Sequence, residues 1–180
     1  MNSFETVWTL EESWFHLRRV FCKVMGEQPQ NNLWRKCKYG RLEEVKVALE
    51  AGEDPNTTGG KLETTCLMIA VWANQNEVVA LLLSCDGINV NAKNLRDSTA
   101  LHFACWKGNA AILRKLLAFP GLQCNERDAW GMTPIMCLLG LHATGPECVH
   151  LMAAKAEVDL DVVYNPVSPP LLFDTQMVSG

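Results

Sequence analysis

Apolar and polar positions along the chain recur at a fixed interval. Four segments align: Leu33-Trp-Arg-Lys-Cys-Lys-Tyr-Gly40, Leu67-Met-Ile-Ala-Val-Trp-Ala-Asn74, Leu101-His-Phe-Ala-Cys-Trp-Lys-Gly108 and Ile135-Met-Cys-Leu-Leu-Gly-Leu-His142. Each starts 34 residues after the one before it. A second apolar group follows: Val45 and Leu49, Val79 and Leu83, Leu113 and Leu117. In the last copy the match is Val149 and Ala153, displaced by a two-residue insertion around Thr144-Gly145-Pro146. Each copy closes on a polar position: Asn56, Asn91, Asn125 and Asp161. A period of this size marks a stacked array of small units.

The pattern predicts two short helices per copy. In the third, Thr99 is placed to cap the first helix, with Leu101, Ala104 and Cys105 as its buried face. Gly108 stops that helix as a C′ glycine. Residues 111–117 predict the second helix, with Ile112, Leu113, Leu116 and Leu117 apolar, and Pro120-Gly121 end it. One such pair cannot bury its own apolar face, whereas stacked neighbours form a continuous core.

Over about residues 31–163 the sequence resembles the ankyrin repeat. Gly131-Met-Thr-Pro-Ile135 carries that motif's glycine and Thr-Pro. Asp97-Ser-Thr-Ala-Leu-His-Phe-Ala104 carries its Thr, Leu, His and Ala, and Val90-Asn91 carries its end. The resemblance implies an all-α fold, an α-solenoid of stacked helix pairs with short β-hairpin loops beside a concave helical face. Its repeats fall at about 31–59, 60–93, 94–127 and 128–163. Some positions depart from the pattern. Glu63 and Asp97 replace the loop glycine, Cys66 and Ala100 the proline, and Asn74 the mid-repeat glycine of the second copy. The first copy opens at Asn31-Asn32, without Thr-Pro. The fourth has Met136, Leu138 and His142 in place of His, Ala and glycine.

The two ends read differently. Residues 1–30 are expected to hold an amphipathic capping helix over residues 9–25, with a Thr9–Glu12 capping box. Trp14, Leu17, Val20, Phe21 and Val24 form its apolar face, and Gly26 and Pro29 end it. Such a helix either covers the open edge of the first repeat or binds a partner groove. Residues 164–180 read as a partial fifth repeat or a frayed tail, rich in proline at Pro166, Pro169 and Pro170.

Composition narrows the functions. With 16 Lys+Arg against 20 Asp+Glu the net charge is −4, which argues against a nucleic-acid footprint. No apolar run approaches the roughly 18–20 residues of a membrane span. The N-terminus lacks the features of a signal or transit peptide, so a cytoplasmic or nuclear location is expected. The eight cysteines contain no C-x-x-C, so metal ligation is not expected and buried thiols are. Disulfides would need an oxidising compartment. No G-x-S-x-G, phosphate loop or H-E-x-x-H occurs, and no cofactor is expected. A Cys–His dyad brought together only in space stays open.

The resemblance implies partner contacts at the end of each first helix and at the loop tips. Carried over, these are Lys38 and Tyr39, Trp72 and Ala73, Trp106 and Lys107, and Gly140 and Leu141 on helices. On loops they are Lys61 and Leu62, Leu95 and Arg96, Ala129 and Trp130, with Ser98 and Met132 just beyond. Trp, Tyr and Arg dominate binding hot spots. The cations Lys38, Lys61, Arg96, Lys107 and Arg127 point to an acidic contact surface on the partner. His102 is expected to bond between repeats, and Asn91 and Asn125 to bond loop backbone, with asparagine hydroxylation as the alternative. The expected function is a monomeric, non-catalytic adaptor or scaffold that binds a protein partner. The alternatives are a regulatory or substrate-targeting part of a larger signalling, ubiquitin-ligase or transcriptional regulator protein, or an array with no private partner.

Overall fold

The computed structural model describes residues 32–139, 146–155 and 157–159. The capping helix expected within residues 1–30, the tail 164–180, and Gly140, Leu141 and Asp161 lie outside them.

Eight helices occur in pairs among the described residues: α1 (Leu33–Lys38) with α2 (Leu42–Glu50), α3 (Cys66–Trp72) with α4 (Asn76–Leu83), α5 (Ala100–Lys107) with α6 (Ala110–Leu117), and α7 (Pro134–Leu139) with α8 (Pro146–Ala153). The first helices pack on one another in the order α1, α3, α5, α7, and the second helices in the order α2, α4, α6, α8. The result is the all-α solenoid of helix pairs. The shortest helices have six residues, too few to persist unaided, so packing of their apolar faces holds them. Leu33, Leu67 and Leu101 are wholly or almost wholly buried, and Ile135 is only slightly more accessible.

In the second-helix layer, Val45, Val79 and Leu113 are buried as the pattern predicts. In α8 the burial moves by one residue. Cys148 and Met152 face the core, Val149 is half-buried and Ala153 is exposed. The helix is thus turned about its axis relative to the expected register, and the Cys148 thiol donates to the Gly108 carbonyl 3.2 Å away. The cap of α6 comes from Asn109, whose Oδ1 accepts from the N–H groups of Ala111 (2.8 Å) and Ile112 (3.1 Å).

The hairpin loops close the pairs. Strands β1 (Thr58–Gly59) and β2 (Thr64–Thr65) are antiparallel, with Thr58 opposite Thr65. In the next two loops Asn94 and Asp128 do the same work with side chains. Asn94 Oδ1 accepts from Arg96 and Ser98 N–H, and Asp128 Oδ1 accepts from Trp130 and Met132 N–H. Successive loops join through Leu95 N–H to Leu62 O (3.0 Å) and Ala129 N–H to Arg96 O (2.9 Å).

The departures from the loop glycine keep its geometry at a cost. Gly131 has φ 74°, and its equivalents Glu63 and Asp97 hold φ 50° and 54°. A side chain in this left-handed region costs about 1–2 kcal/mol. Asp97→Gly is therefore expected to raise stability by roughly 0.5–1 kcal/mol after the greater freedom of glycine in the unfolded chain is subtracted. Urea unfolding of the variant beside the parent measures it.

Candidate functional site

The last turns of the first helices carry the aromatic and cationic residues. Lys38 ends α1 and the exposed Tyr39 follows it; Trp72 ends α3; Trp106 and Lys107 end α5. Trp72 and Trp106 are half-buried against the core, which leaves part of each ring accessible. Phe103 stands between them. Its ring meets Trp72 edge-on at 5.9 Å and Trp106 edge-on at 5.2 Å. Edge-to-face pairs of this kind bring the positive ring edge to the negative ring face. Phe103 is itself buried, so it backs the two half-buried indoles, which form a ledge across α3 and α5. Phe103 stands one turn before Trp106 on the same helix face, a supporting core position that the family pattern does not mark.

Cations sit on these rings. The Lys107 ammonium lies 4.2 Å from the Trp72 ring centroid. The Arg96 guanidinium lies 5.1 Å from that of Trp130, and Lys38 lies 5.5 Å from that of Tyr39. Trp130 is 41% exposed at the tip of its loop, and Leu95 is 63% exposed on the loop before it. Lys107 is exposed and Arg96 half-buried. Met132 and Ser98 differ from the rest of the expected set. Met132 is only 9% exposed and Ser98 1%, because the side chains of Asp128 and Asn94 fold these positions into the loop base. Both side chains are buried in this structure.

His102 ties two repeats together. Its Nδ1 accepts the Thr99 backbone N–H at 3.1 Å, and Nε2 lies 3.0 Å from the Met132 carbonyl of the next repeat. An acceptor at Nδ1 fixes the proton on Nε2, which donates to that carbonyl. Burial, the largest cause, lowers the His102 pKa below its usual 6.5; Lys93 adds to this, while the Met132 carbonyl and Asp128 oppose it. The folded imidazole thus resists a proton that the unfolded one accepts. Its contribution to stability is complete above about pH 6.5 and is lost as the pH falls below that value. Urea unfolding at pH 7.5 and 5.5 is expected to show a larger loss for the parent than for a His102→Met variant.

His102, Asp128 and Cys137 have ligand atoms within 4.8 Å of one another, all buried. Both ring nitrogens already hold hydrogen bonds, which leaves two donors, fewer than the three or four protein ligands of zinc sites. Burial pushes the Cys137 thiol well above its usual range, the wrong direction for a nucleophile. Cys137 is packed beside His102 at the junction between two repeats, and the ring nitrogens bond to Thr99 and Met132. The seven described cysteines are free thiols, and six are buried.

The asparagines expected to bond loop backbone form a regular ladder. Asn56 donates to Gly87 O and accepts from Asn89 N–H. Asn91 donates to Gly121 O and accepts from Gln123 N–H, and Asn125 donates to Glu157 O and accepts from Asp159 N–H. Each fastens one repeat to the next.

Comparison with known proteins agrees with this geometry. Two family models match, one described as ankyrin repeats in three copies over residues 21–94, the other as ankyrin repeats in many copies over residues 82–135. Residues 21–135 are an ankyrin repeat segment. Similar proteins include the E3 ubiquitin-protein ligase KEG of Arabidopsis thaliana, 35% identical over 94 residues, 52% of this chain and 6% of that protein. The SMC5-SMC6 complex localization factor protein 1 of Homo sapiens is 33% identical over 123 residues, 61% of this chain and 11% of that protein. The ankyrin repeat and KH domain-containing protein mask-1 of Caenorhabditis elegans is 37% identical over 113 residues, 58% and 4% respectively. The chain thus spans a small fraction of each relative's own length. Ankyrin repeats generally mediate protein–protein interaction and are generally non-catalytic. No helix among the described residues is long and apolar enough to cross a membrane.

Proposed function

We propose that this chain is a non-catalytic adaptor that binds a protein partner on the concave helical face and hairpin loops, with an acidic surface on the partner. The contact residues in this reading are Lys38, Tyr39, Trp72, Leu95, Arg96, Trp106, Lys107 and Trp130. The observation that carries it is the pair of half-buried indoles, Trp72 and Trp106, held from behind by the buried Phe103 ring, with Lys107 over the Trp72 ring. Preformed aromatic contact area costs little ordering entropy on binding. The adaptor acts as a monomer in the cytoplasm or nucleus.

Affinity capture with the wild-type chain and a Trp106→Ala/Trp130→Ala variant tests this. Proteins enriched by the wild type are expected to be lost by the double variant, with the stacked fold retained by circular dichroism. Equal capture by both would overturn the surface. The relatives favour a second reading, because the matched segment is only 6% of the ubiquitin ligase. In it, the repeats serve as the regulatory or substrate-targeting part of a larger signalling, ubiquitin-ligase or transcriptional regulator protein. A transcript whose reading frame continues past Gly180 would support that role.

A further inference from the structure

Charge is distributed unevenly over the described residues. Lys36, Arg41, Lys46, Lys93, Arg114 and Lys155 each have a carboxylate oxygen within 2.6–3.6 Å. Lys61, Arg96, Lys107, Lys115 and Arg127 have no carboxylate partner among the described residues; Lys115 donates to Asn76 O and Arg127 to Gly131 O. Two others of the five are seated on tryptophan rings, Lys107 on Trp72 and Arg96 on Trp130.

We infer that the partner presents an acidic peptide segment, in which a large apolar side chain seats against the Trp72 and Trp106 indoles while a neighbouring carboxylate pairs with Lys107. The inference rests on the binding surface proposed above and specifies its ligand. A ring that already holds an internal cation repels a second one, so these faces do not suit a basic peptide or a methylated lysine. The same cations, with no carboxylate partner among the described residues and held in place by the rings, complement an anion.

The geometry sets the spacing. The Trp72 and Trp106 centroids lie no more than about 11 Å apart through Phe103, and the Lys107 ammonium is 4.2 Å from the first of them. Anchor and carboxylate on the partner therefore stand about one side-chain step apart, the roughly 5–6 Å between residues i and i+3 or i+4 of a helix. Beside Lys107 a groove of about 690 Å³ gives the segment room to leave the ledge; Asn74, Asn109, Arg114 and Glu147 line it. The Arg114–Glu147 pair at 2.6 Å neutralises itself, so Lys107 sets the charge of the groove. Arg96 is a weaker second point, because the exposed Asp97 follows it in the loop.

A random-peptide library displayed on phage and selected on the immobilised full chain tests this. Enriched sequences are expected to be net negative with at least one aromatic or large aliphatic residue. A synthetic copy of the most enriched one is expected to lose at least about tenfold in affinity against Lys107→Glu, to recover against Lys107→Arg, and to weaken with added salt. Lys107→Glu takes a cation off the Trp72 ring and the last turn of α5, so a fall of no more than about a few degrees in melting temperature is expected, and binding is compared where both chains are fully folded. Neutral or basic peptides that still require Trp72 and Trp106 would overturn the acidic ligand and leave the surface standing. Acidic peptides indifferent to Lys107→Glu would also overturn it. Peptides indifferent to both tryptophans, or no enrichment at all, would overturn the surface itself. Tighter binding of a random single-stranded oligonucleotide through Lys107 would overturn the choice of a peptide.

Discussion

Trp34→Ala is expected to destabilise the array by about 3–5 kcal/mol, the range for removing a large buried aromatic ring. Trp34 is almost fully buried, and its Nε1–H donates to Thr64 Oγ1 at 3.1 Å, which in turn donates to Gly59 O. The ring lies against the first hairpin so closely that a Cβ on Gly59 would come within 2.6 Å of it. Loss of the indole therefore removes core volume and leaves the Thr64 hydroxyl without its donor. Gly59→Ala is expected to reproduce part of the effect from the other side, by forcing the ring and hairpin apart. Denaturant unfolding of both variants and their combination gives the result. Strong non-additivity is expected, because both changes act on one contact.

The second large effect is at His102, where the chain supplies its own comparison. Met68 and Met136 occupy the same position in neighbouring repeats, and their sulfur atoms accept Thr65 N–H and Thr133 N–H, each at 3.4 Å. His102→Met is expected to keep a weak cap of this kind. The Met132 carbonyl would still accept from Asp128 N–H at 3.0 Å, so the cost is about 1 kcal/mol, one net hydrogen bond. His102→Ala keeps neither the cap nor the volume, and is expected to cost about 3–4 kcal/mol. Equal effects from the two substitutions in urea unfolding would show that packing at this junction outweighs its hydrogen bonds.

The helix pairs were legible in the sequence because burial follows spacing. Leu33, Leu67 and Leu101 recur at one interval, and an apolar residue at such a position has one stable place, against its neighbour. The role of Trp34 was not legible. It stands one position after Leu33, as His102 stands after Leu101, and spans 30 residues to the next loop as His102 does. Yet an indole and an imidazole share no motif letter. What they share is an N–H aimed across a junction, which spacing alone does not disclose. The rotation of α8 was likewise hidden, since Cys148 and Val149 are both apolar and the insertion allowed either register. At the candidate surface, Trp72, Trp106, Lys107 and Trp130 were placed by position in the repeat. The burial of Met132 was not legible, because loop exposure depends on what Asp128 binds, a contact four residues back.

The asparagine ladder has a mechanical meaning. Asn56, Asn91 and Asn125 each reach one repeat along and no further. No bond in that ladder skips a unit, so force or strain applied at one end is handed on in series. In a chain coupled in this way, loss of one junction weakens its two neighbours directly and the more distant units only through them.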